Sequence, residues 1–89
     1  MVKRKLNLTY SSGLHARPSM ALAKIMSEFS SSVHLVHRGS RADAKSILEI
    51  LSTGVHTGEV VFEAEGPDAE AALQAAEDFF HMLNTEQHW

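Results

Sequence analysis

The chain has 89 residues, of which 44% are hydrophobic and 21% are charged, a balance typical of a soluble globular domain rather than a disordered segment. At this length we expect residues 1–89 to form one domain with a single core, and function to lie at its surface or at the end of an element. The net charge of −3 argues against nucleic-acid binding, which requires a basic face. The absence of cysteine excludes disulfide frameworks and thiolate chemistry.

The sequence contains no pattern typical of a membrane or secretory segment. No apolar run approaches the ~20 residues of a transmembrane helix. The basic start at Lys3 to Lys5 is not followed by an apolar run of signal-peptide length. We therefore expect a cytoplasmic protein without membrane insertion.

The first 29 residues predict a strand, a turn and a helix. Residues 3–10 alternate between polar and apolar side chains, the pattern of a strand with one buried face, and the glycine-containing residues 11–13 break it. A helix is predicted from Ala16 to about Phe29, because apolar residues recur there at helical spacing and Pro18 is tolerated in a first turn. The apolar positions of this helix are Leu22, Ile25, Met26 and Phe29.

The remaining residues predict three strands and two helices. Residues 33–37 and 40–43 are predicted strands joined by a turn, residues 46 to about 52 a short apolar helix, and residues 59–65 an alternating strand. Asp68 is a good N-cap for a last helix. The inward stripe of that helix consists of Ala69, Ala72, Leu73, Ala76, Phe80 and Leu83.

The predicted element order is βαββαβα, which indicates an α+β fold. Helices of this length can cover only one face of a four-stranded sheet. We therefore expect an open-faced β-sandwich, with a largely antiparallel sheet covered on one face by three helices.

A glycine-containing turn places a histidine at the start of the first predicted helix, in the segment Gly13-Leu14-His15-Ala16-Arg17-Pro18. The free N–H groups of a first helical turn and the helix dipole create a partial positive charge, which favours a neutral, nucleophilic imidazole over imidazolium. The amides of Ala16 and Arg17 are suited to bind an anion there. The Arg17 guanidinium also matches the geometry of phosphate oxygens.

This arrangement predicts a histidine that accepts a phosphoryl group. Phosphoryl transfer depends mainly on positioning and charge stabilisation, so a partner enzyme that brings the donor makes a second catalytic residue unnecessary. The alternative is an N-cap or a partly buried loop histidine at His15, with Arg17 on a solvated face. That alternative is favoured for an isolated histidine, whereas the combination with Gly13, Arg17 and Pro18 favours the phosphoryl acceptor.

The segment from Gly13 to Pro18 resembles the active-site signature of HPr, the histidine-containing phosphocarrier family of the bacterial phosphoenolpyruvate:sugar phosphotransferase system. Lys45-Ser46-Ile47-Leu48 is similar to the regulatory-serine segment of that family, and residues 63–73 are similar to its last strand and last helix. The resemblance spans nearly the whole chain. Residues 34–43 match poorly, and the segment Asn84 to Trp89 has no clear counterpart.

The resemblance implies a carrier rather than an enzyme, without a cofactor, and we expect a monomer. His15 would be phosphorylated on Nδ1 by enzyme I, with phosphoenolpyruvate as the ultimate donor, and would pass the group to a histidine of an EIIA domain for sugar uptake. Arg17 would help to hold and release the phosphate. Ser46 matches the site that an HPr kinase/phosphorylase modifies with ATP in many bacteria.

Ser46 precedes a predicted helix, so a phosphate there would gain from the helix dipole and add negative charge beside a docking surface. A role as N-cap is compatible with that regulation. Ile47, Leu48 and Leu51 would form an apolar patch for a partner if they are exposed, but core positions are at least as compatible with Ile47 and Leu51. Met20, off the apolar stripe, is either a partner contact or a plain surface methionine.

Two other functions fit the same residues. One is a regulatory HPr paralogue in a nitrogen-related or signalling phosphorelay, and the other is an interaction module that acts through Ser46. Glu49 stands where many HPr proteins have glycine, and its carboxylate could repel an acidic partner or a phosphoserine.

The six histidines do not predict a metal site. His34 and His37 lie three residues apart on a predicted strand, so they point to opposite faces of the sheet. The others share no ligand spacing and are expected at the surface: His15, His56, His81 and His88.

Overall fold

The alternating and helical patterns of the sequence produce seven elements in the predicted βαββαβα order. The structure, a computed structural model, describes residues 1–85, so His88 and the rest of residues 86–89 lie outside the described part. The elements are β1 (Val2–Leu8), α1 (Ala16–Met26), β2 (Ser32–His37), β3 (Ser40–Asp43), α2 (Ile47–Ser52), β4 (Gly58–Glu65) and α3 (Ala69–Thr85).

The four strands form one antiparallel sheet in the order β1-β4-β2-β3. Leu6 on β1 pairs with Val60 on β4, and Leu35 on β2 pairs with Phe62 on β4. Because facing positions in a sheet share the same side, this register brings the apolar residues of the strands onto one face. The predicted antiparallel sheet is confirmed.

The helices cover that apolar face and leave the other face open. α3 packs against β1, β2 and β4, while α1 packs against α2 and α3. On the open face Glu63 lies 3.6 Å from the Lys3 amine and 3.5 Å from Arg41 Nε. The predicted inward stripe of α3 is confirmed, since all six of its residues are buried, and Phe79 is buried as well. Phe80 of that stripe meets Phe62 edge-to-face, with ring centroids 5.4 Å apart.

Two elements end two or more residues before their predicted ends. α1 ends at Met26 rather than near Phe29, because the amides of Glu28 and Phe29 donate to carbonyls three residues back instead of four, which tightens the chain out of the α-helix. β1 ends at Leu8 rather than at Tyr10, because the Tyr10 amide donates to the side chain of Asn84 instead of to a neighbouring strand.

Asp68 stands at the predicted start of α3 and also bonds to the segment that follows α1. Its backbone carbonyl accepts from the amide of Ala72 at 2.9 Å. Its carboxylate accepts from the amides of Ser30 and Ser31, at 3.0 and 2.9 Å, and from the Ser31 hydroxyl. The hydroxyl in turn accepts from the Asp68 amide at 3.1 Å. Asp68 directly precedes α3 as predicted, but its carboxylate bonds to Ser30 and Ser31 rather than to the first amides of that helix.

These bonds lower the pKa of Asp68 from 3.8 to about 2, chiefly through the Ser31 hydroxyl and then through the amides of Ser30 and Ser31. A carboxyl group whose pKa is lower in the folded than in the unfolded state stabilises the fold when the pH is above its unfolded-state pKa. This stabilisation is lost as the pH falls through the folded-state pKa. We therefore expect wild type to exceed Asp68→Asn in unfolding free energy at neutral pH. The gap should shrink between about pH 4 and pH 2.

Urea unfolding at constant ionic strength, repeated across this pH range, measures the gap. Asp78→Asn is the matched control, since within residues 1–85 the carboxylate of Asp78 accepts only from Gln74 of its own helix, at 3.0 Å. A gap for Asp68→Asn that stays constant down to pH 2 would contradict the prediction.

Candidate functional site

A tight turn leads from β1 to α1 and requires glycine at position 13. The Gly13 amide donates to the Tyr10 carbonyl at 3.0 Å, and the backbone of Gly13 has φ +67°, a left-handed conformation that favours glycine. A Cβ atom at this position would lie 2.6 Å from the carbonyl oxygen of Val55 and 2.7 Å from the Cα of His56. Gly13 therefore lets this turn pack directly against the loop between α2 and β4.

The turn is held at two further points immediately before the histidine. The amide of Leu14 donates to the carbonyl of Val55 at 3.0 Å, and the side chain of Leu14 is buried in the core. The hydroxyl of Ser19, one turn into α1, donates back to the carbonyl of Leu14 at 2.9 Å. The backbone that leads into His15 is thus fixed.

His15 occupies the N-cap position of α1, at the helix start that the sequence predicts. Its backbone is extended, with φ −77° and ψ −170°, and its carbonyl accepts from the amide of Ser19 at 3.0 Å. The imidazole makes no capping hydrogen bond and is half-buried. Its ring centroid lies 6.1 Å from that of Tyr10. The ring therefore stands at the start of the helix rather than inside the core.

The first turn of α1 offers donors that no neighbouring group uses. Within residues 1–85 the amides of Ala16 and Arg17 donate no hydrogen bond, and the first turn contains no acidic side chain. Arg17 is exposed and forms no ion pair with the described residues. An anion bound beside His15 would meet two free amides, the positive end of a helix and a mobile guanidinium.

Ser46 is the N-cap of α2. Its hydroxyl accepts from the Glu49 amide at 3.3 Å, and its own amide donates to the Asp43 carbonyl at 3.0 Å. The Glu49 carboxylate accepts from the Asp43 amide at 2.9 Å. Glu49 therefore ties the start of α2 to the end of β3, while Ser46 has the geometry of an ordinary helix cap.

The apolar side chains expected at a docking surface are exposed on α1 and α2, which pack against each other. Leu48 is 80% exposed and Met20 is 57% exposed. Ile47 and Leu51, which the sequence alone left between core and surface, are each 38% exposed. Ile50 is instead the fully buried residue of α2.

Asn84 was not predicted as a functional residue, because it begins the segment that has no clear counterpart in the HPr family. Asn84 lies in α3, and its side-chain oxygen accepts from the amides of Thr9 and Tyr10, at 2.8 and 3.2 Å. Its side-chain nitrogen donates to the Asn7 carbonyl at 2.9 Å. These partners are more than 70 positions apart in the chain, so no local pattern indicates them, although the helical spacing up to Leu83 places Asn84 one residue beyond the predicted stripe.

The histidines other than His15 have separate surroundings. His34 and His37 point to opposite faces as predicted: His34 is half-buried, whereas His37 is buried with Nδ1 3.0 Å from the Glu59 carbonyl oxygen. His56 and His81 are exposed. In the part of the chain that the structure describes, no group of three or more histidine or acidic residues is placed to hold a metal ion. No helix in that part has the length and apolar character needed to cross a membrane.

Comparisons with known proteins agree with this geometry. A family model described as "PTS HPr component phosphorylation site" matches residues 2–82. The chain is 38% identical over 76 residues to the phosphocarrier protein HPr of Mycoplasma capricolum subsp. capricolum, covering 84% of this chain and 85% of that protein.

Two solved structures from Thermoanaerobacter tengcongensis are also similar. One, of HPr-C-His, has a TM-score of 0.90 at 34% identity and covers 97% of this chain and 98% of the other. The second, of an HPr dimer, has a TM-score of 0.73 at 36% identity, covering 97% and 100%. The monomer expected from the sequence stays a prediction beside this dimer. The matched fold, family model and curated relative together place the chain in the HPr family, the phosphocarriers of the phosphotransferase system.

Proposed function

We propose that His15 is the phosphoryl acceptor and donor of this carrier. It takes the group from phosphorylated enzyme I, whose own donor is phosphoenolpyruvate, and passes it to a histidine of an EIIA domain. The observation that supports this most directly is the half-buried imidazole at the start of α1, beside two free amides and the unpaired Arg17 guanidinium. No cofactor is needed, because both exchange partners bring their own reacting group.

The transfer follows from the chemistry of a neutral imidazole. A lone pair of His15, on Nδ1 in the proposed assignment, attacks phosphorus as the P–N bond to the donor histidine breaks, and the bonding pair returns to the donor nitrogen. The same exchange with EIIA regenerates His15. The amides of Ala16 and Arg17 and the guanidinium stabilise the charge spread over the phosphoryl oxygens in the transition state.

The exposed apolar side chains of α1 and α2 are proposed to dock the partners. Met20, Ile47, Leu48 and Leu51 offer apolar area that a monomeric surface would otherwise leave in water. Enzyme I and EIIA must approach His15 in turn, so both would use the same surface. Leu48, the most exposed of the four, should contribute most area to such a contact.

Incubation of the chain with enzyme I and phosphoenolpyruvate tests the proposal. The expected product carries an acid-labile, base-stable phosphate on His15, and this label should leave the chain when an EIIA domain is added. Labelling that requires ATP and appears only on Ser46 would instead identify an interaction module. A label that EIIA domains of sugar transport do not remove would favour the regulatory paralogue.

Ser46 is proposed as a regulatory site for an HPr kinase/phosphorylase. It caps α2 directly before Ile47 and Leu48, so a phosphate there would add about −1.5 to −2 charges next to the proposed docking residues. Ser46→Asp should therefore slow acceptance from enzyme I several-fold. Ser46→Asn is the matched control, because asparagine has the same shape as aspartate and caps a helix equally well, but carries no charge.

The measurement is the initial rate at which each Ser46 variant accepts phosphate from phosphorylated enzyme I. Equal rates for Ser46→Asp and Ser46→Asn would show that charge at this position does not affect docking, and would leave Ser46 as a cap alone.

A further inference from the structure

Tyr10 lies directly beside the proposed phosphoryl acceptor. It continues the buried face of β1 two residues past the end of the strand and is only 7% exposed. Its ring centroid lies 6.1 Å from the centroid of the His15 imidazole, with 33° between the ring planes, within the range of favourable aromatic pairs. Among residues 1–85 no other ring contacts His15, and its imidazole makes no hydrogen bond.

We propose that Tyr10 is a positioning residue for His15, an inference that rests on the proposed carrier function. The imidazole is attached through two rotatable bonds, and neither a hydrogen bond nor a second aromatic ring in the described chain orients its plane. A buried aromatic ring at this distance restricts the rotamers that the imidazole can adopt. It thereby limits the directions in which the reactive nitrogen can face an arriving phosphoryl group.

Tyr10 can serve as such a support because its own backbone is held on both sides. Its amide donates to the side chain of Asn84 at 3.2 Å, and its carbonyl accepts from the Gly13 amide at 3.0 Å. Asn84 also accepts from Thr9 at 2.8 Å and donates to Asn7 at 2.9 Å. The end of α3 thus anchors the segment that carries the Tyr10 ring, and this ring supports the imidazole.

Three variants separate positioning from packing. Tyr10→Leu keeps an apolar side chain in the core but removes the aromatic ring, whereas Tyr10→Phe keeps the ring. Asn84→Ala keeps the ring but releases its backbone. The first readout is the NMR chemical shift of the His15 ring protons, which senses a neighbouring aromatic ring and needs no partner enzyme. The second is the steady-state kinetics of phosphoryl transfer from enzyme I.

We expect Tyr10→Leu to shift the His15 ring resonances and to lower kcat by roughly two- to tenfold, the factor that corresponds to a typical aromatic pair. KM for the carrier should be unchanged, because Met20 and the α2 surface are untouched. Tyr10→Phe should restore both readouts. Asn84→Ala should shift the resonances in the same direction and lower kcat less.

An unchanged kcat in Tyr10→Leu would overturn the proposal, because loss of the ring current shifts the His15 resonances whether or not the ring orients the imidazole. Should Tyr10→Leu fail to fold, Asn84→Ala decides in its place, and wild-type resonances and kcat in that variant overturn the proposal. If enzyme I labels none of these proteins, including wild type, the carrier function is wrong for this chain. In that case the NMR comparison of wild type with Asn84→Ala, which keeps the Tyr10 ring, still decides whether the anchored ring fixes the surroundings of His15.

Discussion

Replacing His15 with alanine is expected to abolish phosphoryl acceptance from enzyme I and to leave the chain folded. Acceptance should fall below detection because alanine has no nucleophilic nitrogen, and the amides and guanidinium around the site cannot supply one. Stability should change by no more than about 1 kcal/mol, the size of the lost contact with the Tyr10 ring. The imidazole makes no capping hydrogen bond that the fold would lose.

The measurement combines labelling from phosphoenolpyruvate with thermal unfolding of the same sample. His56→Ala is the matched control, since His56 is an exposed histidine on the loop that packs against Gly13. This variant should accept phosphate at the wild-type rate. Acid-labile label that persists in His15→Ala and disappears in His56→Ala would identify His56 as the acceptor and refute the assignment to His15.

Gly13→Ala should destabilise the fold more than Gly54→Ala, the same substitution at a glycine with nearly the same φ. A left-handed backbone costs an alanine about 1–2 kcal/mol. The new Cβ would also lie 2.6 Å from the Val55 carbonyl oxygen, where backbone rather than a flexible side chain must move; forced overpacking of this kind typically adds about 1–3 kcal/mol. We therefore expect a loss of unfolding free energy of about 2–5 kcal/mol.

Gly54→Ala separates these two contributions. Gly54 has φ +64°, close to the +67° of Gly13, but a Cβ at Gly54 would meet nothing within 4 Å. Its expected cost is only the conformational one, about 1 kcal/mol. Chemical denaturation of both variants gives the difference between their unfolding free energies. Equal losses of unfolding free energy would show that the turn moves away from the Val55 loop without cost.

Gly13→Ala should also slow phosphoryl acceptance in the fraction that remains folded. The clash can be relieved only by separating the turn from residues 55–56, and this movement carries Leu14 and His15 with it. The loss of rate should therefore exceed that of Gly54→Ala even at a temperature where both variants are fully folded. This outcome links the glycine directly to the placement of the acceptor.

Local patterns were sufficient to predict most of the fold. The alternation in residues 3–8 and 59–65 and the helical spacing from Ala69 to Leu83 each describe one element and its buried face. These signals are local because a strand or a helix repeats within a few residues. The same holds for His15, whose position at a helix start follows from Gly13 before it and Pro18 after it.

Patterns of the same kind did not mark the two element ends where the backbone hydrogen bonding changes while the side chain stays packed. Tyr10 fits the alternation of β1, yet its amide bonds to Asn84 and the strand has already ended. Phe29 fits the spacing of α1, yet the helix closes at Met26. In both cases the apolar side chain is where the pattern puts it, packed against the core, while the backbone has left the element.

The sequence by itself determined the order of the elements, their buried faces and the place of His15 between a glycine turn and a helix, because these depend on neighbours in the chain. Only the tertiary structure decided that Asn84 holds the segment before the site, that Asp68 joins Ser30 and Ser31, and that Ile47 and Leu51 remain partly exposed. These features join residues far apart in sequence or depend on what covers a short helix. No periodicity within one segment encodes them.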